Sequence, residues 1–205
     1  MITPGVIMDK REGLVTLWDQ ICACQKCSKI VPHIKNRVFG EGNVSSPIVL
    51  VGEAPGEEED LSARPFVGAA GKVLGEILDI ARIQRERIMI INALKCRPTK
   101  GVKNKDNRTP SWEEVQNCQP FLKGQLDILQ PKIIVAMGKI AVSALLSKPP
   151  DSFALKDYAG MAQKGEKAWC LPTYHPAYVA HRGNDPKLIE KIAKHIMRAK
   201  EMLNE

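Results

Sequence analysis

The sequence predicts an α/β protein of three layers, α/β/α, around a central, mainly parallel sheet of four strands. Three features carry that expectation. Continuous apolar runs at residues 48–51, 88–91 and 133–136 lack polar alternation, as strands buried on both faces require. Segments with helical spacing lie between those runs. The 205 residues suffice for one compact domain, 1–205, with a real core.

Each element follows in order. Leu14, Leu17, Trp18 and Ile21 have helical spacing and end at the first cysteines. Residues 48–51 follow Pro47 and form the first strand. Val73, Leu74, Ile77, Leu78 and Ala81 trace one helix face. Residues 88–91 give the second strand and 133–136 the third, with a helix over 138–146. Residues 169–171 give a weaker fourth strand. The last helix starts with Asp185 as N-cap and Pro186 at its first position, followed by Leu188, Ile189, Ile192, Ala193, Ile196 and Met197. Ligands of such sheets bind beyond the carboxyl ends of the strands, which singles out residues 52–60, 92–97 and 173–182.

The net charge of +7 favours an anionic partner, nucleic acid first, although a merely basic surface gives the same number. No signal peptide and no run of 18 apolar residues is present, so a cytoplasmic location without a membrane partner is expected. In that reducing compartment the six cysteines read as metal ligands or core residues rather than disulfides. Cys24 and Cys27 form C-x2-C, and Cys96 and Cys118 supply two distant thiols. One tight turn plus two remote ligands makes a four-thiolate site, with iron–sulfur favoured by the dispersed pair and zinc as the competing metal. Cys22 is an alternative to Cys24, and Cys170 reads as core.

The strand-end loops carry the remaining chemistry. In GEAPGEEED (52–60) the glycines and Pro55 shape a turn whose N–H groups suit an oxyanion, and Glu53 and Glu59 suit water. The same string also reads as a solvated acidic helix start. Phe66, between Pro65 and Gly68, suits base stacking or simple packing. Asn92 offers donor and acceptor to a base edge, or merely ends a strand. His175, before Pro176, suits a hydrogen bond to a leaving group, or a structural role. Lys95, Arg97, Lys100, Lys103, Lys105 and Arg108, with Asp106 the one acid among them, read as a mobile basic loop for phosphate or solvent, leading to a helix start at Thr109 and Pro110.

In order, FGEGN, GEAPGEEED, RPFVGAAG, INALKCRP, VAMG and LPTYHPAY resemble the family 4 uracil-DNA glycosylases of bacteria and archaea, across nearly the whole chain from Cys24. The resemblance implies a monofunctional DNA-repair hydrolase with a structural [4Fe-4S] cluster on Cys24, Cys27, Cys96 and Cys118. It implies a uracil pocket of Glu53, Ala54, Phe66, Asn92 and His175. Glu53 and His175 would be catalytic together with Glu59, which would lie near the uracil C5 edge. Uracil would be flipped out of single- or double-stranded DNA by a monomer, with Tyr178, His181 and Arg182 touching the strand. Two departures stand out. Ala180 and His181 occupy the place of a larger apolar wedge, with extra residues before Pro186, and the Cys96–Cys118 interval is long. A covalent uracil-DNA-binding relative carries a His-bearing basic insertion after the acidic motif; DLSARP (60–65) has neither insertion nor His. A non-catalytic cluster protein that binds DNA is the rival from another class.

Overall fold

The computed structural model describes residues 9–101 and 106–205. Residues 1–8 of the N-terminal stretch 1–13 read for a signal peptide, and Lys103 and Lys105 of the basic loop, lie outside them. Four parallel strands form the centre of the sheet: β2 (Ile48–Gly52), β3 (Met89–Asn92), β4 (Ile133–Met137) and β6 (Trp169–Thr173). Two-residue strands, β1 (Glu41–Gly42) and β5 (Gln163–Lys164), pair antiparallel at the edges, giving the order β1-β3-β2-β4-β6-β5. The expected four-stranded sheet thus gains two edges too short to show a period.

Alternate residues of the central strands face two separate cores. Leu50, Ile90, Val135 and Leu171 meet α3 (Ala69–Ile80), α6 (Pro176–Ala180) and α7 (Pro186–Glu201). Val49, Val51, Ile91 and Ala136 meet α1 (Lys10–Ala23), α4 (Trp112–Leu129) and α5 (Lys139–Leu146). Helices on both faces explain why the strands read as unbroken apolar runs.

Helix α4 carries Cys118 and begins two residues later than Thr109-Pro110 suggests. Ser111 caps it: its Oγ accepts from Glu114 N at 3.2 Å, and its own N–H donates to Glu114 Oε2 at 2.8 Å. Arg108 adds a bidentate pair to the same carboxylate, at 2.7 and 2.6 Å. The stretch read as a mobile basic loop is therefore anchored at both ends. Lys95 and Arg97 are buried, Arg97 Nε donates to Asn107 Oδ1 at 2.7 Å, and Thr99 bridges Asn107. Among the described residues, no helix is long and apolar enough to cross a membrane.

Candidate functional site

Gly52 ends β2 opposite Asn92 at the end of β3. The pairing continues into the loops, with Ala93 N donating to Gly52 O at 2.9 Å and Leu94 N to Glu53 O at 3.0 Å. A Cβ on Gly52 would lie 2.3 Å from Asn92 Oδ1 and 2.5 Å from Phe66 Cζ. Only glycine lets the Phe66 ring and the Asn92 amide close on this backbone. The Phe66 and His175 rings lie 5.5 Å apart, tilted by 32°. The two β-strand ends, the turn after α2 (Glu57–Ser62) and the start of α6 therefore bring Gly52, Phe66, Asn92 and His175 to one place.

Phe66 has φ +52°, a left-handed conformation that an aromatic residue adopts only under constraint. Glu59 supplies that constraint. Its Oε1 accepts from Val67 N and Gly68 N, both at 2.9 Å, and its Oε2 from Gly56 N at 2.9 Å. Arg85 holds Pro65 O at 2.5 Å. Both oxygens of Glu59, expected to face water or the C5 edge, are engaged by backbone donors. Asp60 is likewise structural, accepting Lys35 N at 2.9 Å and Asn36 N at 3.1 Å.

His175 caps α6, its Nδ1 accepting from Ala177 N at 3.1 Å. An acceptor at Nδ1 places the proton of the neutral ring on Nε2. Burial pushes the His175 pKa down to about 4, so the ring is neutral at physiological pH. Its Nε2 and Asn92 Oδ1 are both buried without a hydrogen-bond partner among the described residues. Unsatisfied buried polar atoms are rare, and two around one aromatic ring mark a place for a polar, planar ligand. Burial also pushes the Glu53 carboxyl up, to about 7. Ala54 is half-buried beside it.

The loop after His175 departs from expectation. Ala180 is half-buried and packs against the core, so it is not where an exposed wedge belongs. Tyr178 is 41% exposed instead. Its ring stacks on Tyr174 (5.9 Å, 20°), and Arg182 lies 4.5 Å over it. Tyr174, with Lys191 5.1 Å over its ring, was missed. Tyr174 precedes the short turn of α6 and Arg182 follows it, so no helical period in the sequence announced their contacts with Tyr178. His181 is exposed at the end of the same turn.

Cys24, Cys27, Cys96 and Cys118 line one small recess, walled by Ile21, Ile30, Leu94 and Phe121. Cys22 is exposed on α1 and does not line it. Burial pushes the Cys96 thiol up to about 12 and Cys27 to about 11, and Cys118 adds to both. Cys27, Cys96 and Cys118, whose ionisation burial opposes in an apolar recess, suit a cationic group that would stabilise them as thiolates. Lys95 N already donates to Cys118 Sγ at 3.3 Å. Among the described residues, no group of three His, Cys, Asp or Glu side chains is set to hold a single metal ion.

Comparison with known proteins adds to this geometry. The profile of the Uracil DNA glycosylase superfamily matches residues 39–196. A type-4 uracil-DNA glycosylase of Sulfurisphaera tokodaii is 37% identical over 192 residues, covering 90% of this chain and 84% of its own. Those of Thermotoga maritima (39%; 87% and 90% covered) and Pyrobaculum aerophilum (40%; 82% and 85% covered) are similar to the same extent.

Proposed function

This chain belongs to the uracil-DNA glycosylase superfamily, and on that premise we propose that it hydrolyses the N-glycosidic bond of flipped-out deoxyuridine in DNA, releasing uracil and leaving an abasic site. It is a uracil-DNA glycosylase, a hydrolase of DNA repair. It acts as a cytoplasmic monomer on single- or double-stranded DNA. Every residue assigned below comes from one chain.

Phe66 stacks on uracil. Asn92 reads its edge: Oδ1 accepts from N3–H and Nδ2 donates to O4. Cytosine presents the reverse pattern at those positions and leaves the amide unpaired. The C1′–N1 bond breaks with its electron pair going to N1, and the negative charge spreads to the uracil oxygens. His175, held neutral with its proton on Nε2, donates to the oxygen where that charge grows. Glu53, with a pKa near 7 through burial, is poised to hold the attacking water and accept its proton. Water's hydroxyl joins C1′, and the uracil anion takes a proton from solvent. Ala54 leaves room beside Glu53. Glu59 is a positioning residue that fixes the Phe66 turn through Val67 N and Gly68 N, and caps α2 through Gly56 N.

Cys24, Cys27, Cys96 and Cys118 would hold a [4Fe-4S] cluster, a fit supported by their shared cavity and apolar walls. The cluster would supply structure, joining the N-terminal segment to α4 and β3. Tyr178 and Arg182 face the strand, the ring filling space vacated by the flipped base and the guanidinium meeting phosphate.

The observation that carries this reading is the pair of partnerless buried atoms, Asn92 Oδ1 and His175 Nε2, around Phe66. Asn92→Asp tests it. A carboxylate cannot donate to O4, so uracil release should fall about 10²-fold or more. Unchanged uracil excision by that variant would remove the pocket as drawn.

A further inference from the structure

Lys95 has no role in the chemistry above, yet it is only 1% exposed and among the largest fully buried side chains. Burying an ammonium is costly, and an alkyl side chain would fill the same space more cheaply. The partners of Lys95 point to a use. Its Nζ donates to the carbonyl of Asn92 at 2.5 Å and to Gln125 Oε1. Gln125, 0% exposed on α4, passes its other amide group to Phe39 O at 2.8 Å. The Lys95 carbonyl accepts Val38 N at 2.8 Å. One side chain thus ties the end of β3 to α4 and, through Gln125, to the segment that leads into β1.

The carbonyl held by Lys95 belongs to Asn92, the last residue of β3. The carbonyl and the side chain of one residue share a Cα, so fixing the first fixes the direction in which the second leaves the backbone. Asn92 Oδ1 has no hydrogen-bond partner of its own among the described residues. With no partner on its oxygen, the amide depends on its backbone for aim. A displacement of about 1 Å at such a group is enough to lose much of its effect.

We propose that Lys95 is the positioning residue for base recognition, with Gln125 as its anchor: the buried ammonium clamps the Asn92 peptide and so aims the Asn92 amide at the uracil edge. The inference rests on Asn92 reading uracil. It predicts that Lys95 acts through Asn92, which a double-mutant cycle measures.

The experiment is single-turnover uracil release from a labelled oligonucleotide by the wild type, Lys95→Met, Asn92→Ala and the double variant, with iron content and thermal melting recorded for each. Lys95→Met should slow release about tenfold or more when Asn92 is present, as expected for loss of a charged hydrogen bond. In the Asn92→Ala background the same change should cost less than about twofold. A purely structural lysine would slow both backgrounds equally, and that result, or no slowing at all, overturns the proposal. Should Lys95→Met fail to fold, the same cycle with Gln125→Met decides, with a smaller loss expected that again vanishes without Asn92. A wild type that releases no uracil would defeat the glycosylase reading itself; an active wild type with no coupling defeats only the role of Lys95.

Discussion

Replacing Glu53 by Gln should stabilise the protein and cripple it, and the two effects should share one titration. Burial raises the Glu53 pKa from its ordinary 4.5 to about 7. The folded state therefore binds the Glu53 proton more tightly than the unfolded chain does, and stability falls as pH rises from 4.5 through about 7. At roughly 1.4 kcal/mol per pH unit, the ionised carboxylate costs on the order of 3 kcal/mol above that window. Gln removes the charge. Glu53→Gln should thus be more stable than wild type by up to that amount near about pH 8.5, a Tm difference of roughly 6–12 °C for a protein this size. The difference should close towards about pH 4.5. His175, whose depressed pKa withdraws stability as pH falls from its ordinary 6.5 through about 4, titrates alike in both proteins and cancels. Single-turnover uracil release should behave oppositely. In wild type it should rise with pH through about 7, as Glu53 becomes a base. In Glu53→Gln it should be about 10²-fold slower or more, with that rise gone. Thermal melts and rate profiles across the same pH range test both arms. Equal stability of the two proteins at high pH, or a wild-type rate that is flat through neutrality, would refute the reasoning.

Two further predictions concern the cluster and the DNA. Anaerobically purified protein should carry about four irons per chain, and Cys118→Ala should lose both iron and a cooperative thermal transition, because Cys118 ties α4 to Cys24, Cys27 and Cys96 around one cavity; zinc in place of iron would contradict this. Tyr178→Ala should slow uracil release from U·A duplex about tenfold while leaving single-stranded substrate within about twofold, since the ring is needed only where a base must be unstacked. Equal losses on both substrates, in single-turnover assays at matched salt, would show that Tyr178 is not a wedge.

The central strands were legible because a strand covered by helices on both faces can tolerate only apolar residues. Residues 48–51 and 133–136 therefore announced β2 and β4. Strands β1 and β5 were not legible, since two residues have no pattern. Most of α4 was missed because Pro120 interrupts its interior and its apolar stripe is thin. Within the proposed site, residue types beyond the strand ends pointed to Glu53, Asn92 and His175, and the Pro65–Gly68 turn to Phe66, but not to what holds them. Glu59 looked like an acid for chemistry; two of its backbone partners, Val67 N and Gly68 N, lie eight and nine residues away and come within reach only once the Phe66 turn has formed. Lys95 looked like one more loop cation, because composition shows charge and not burial. Ala180 looked like a missing wedge, whereas the fold turns it towards the core and leaves Tyr178 outside.

Uracil release by wild type and His175→Ala, in single turnover with saturating protein on a uracil-containing oligonucleotide, tests the central claim most directly. The wild type should yield free uracil and an abasic strand in equal amounts. His175→Ala, which removes the Nε2 donor, should bind the same DNA but release uracil on the order of 10²-fold more slowly. Tight binding of uracil-containing DNA by the wild type with no uracil released, or an undiminished rate in His175→Ala, would contradict the account.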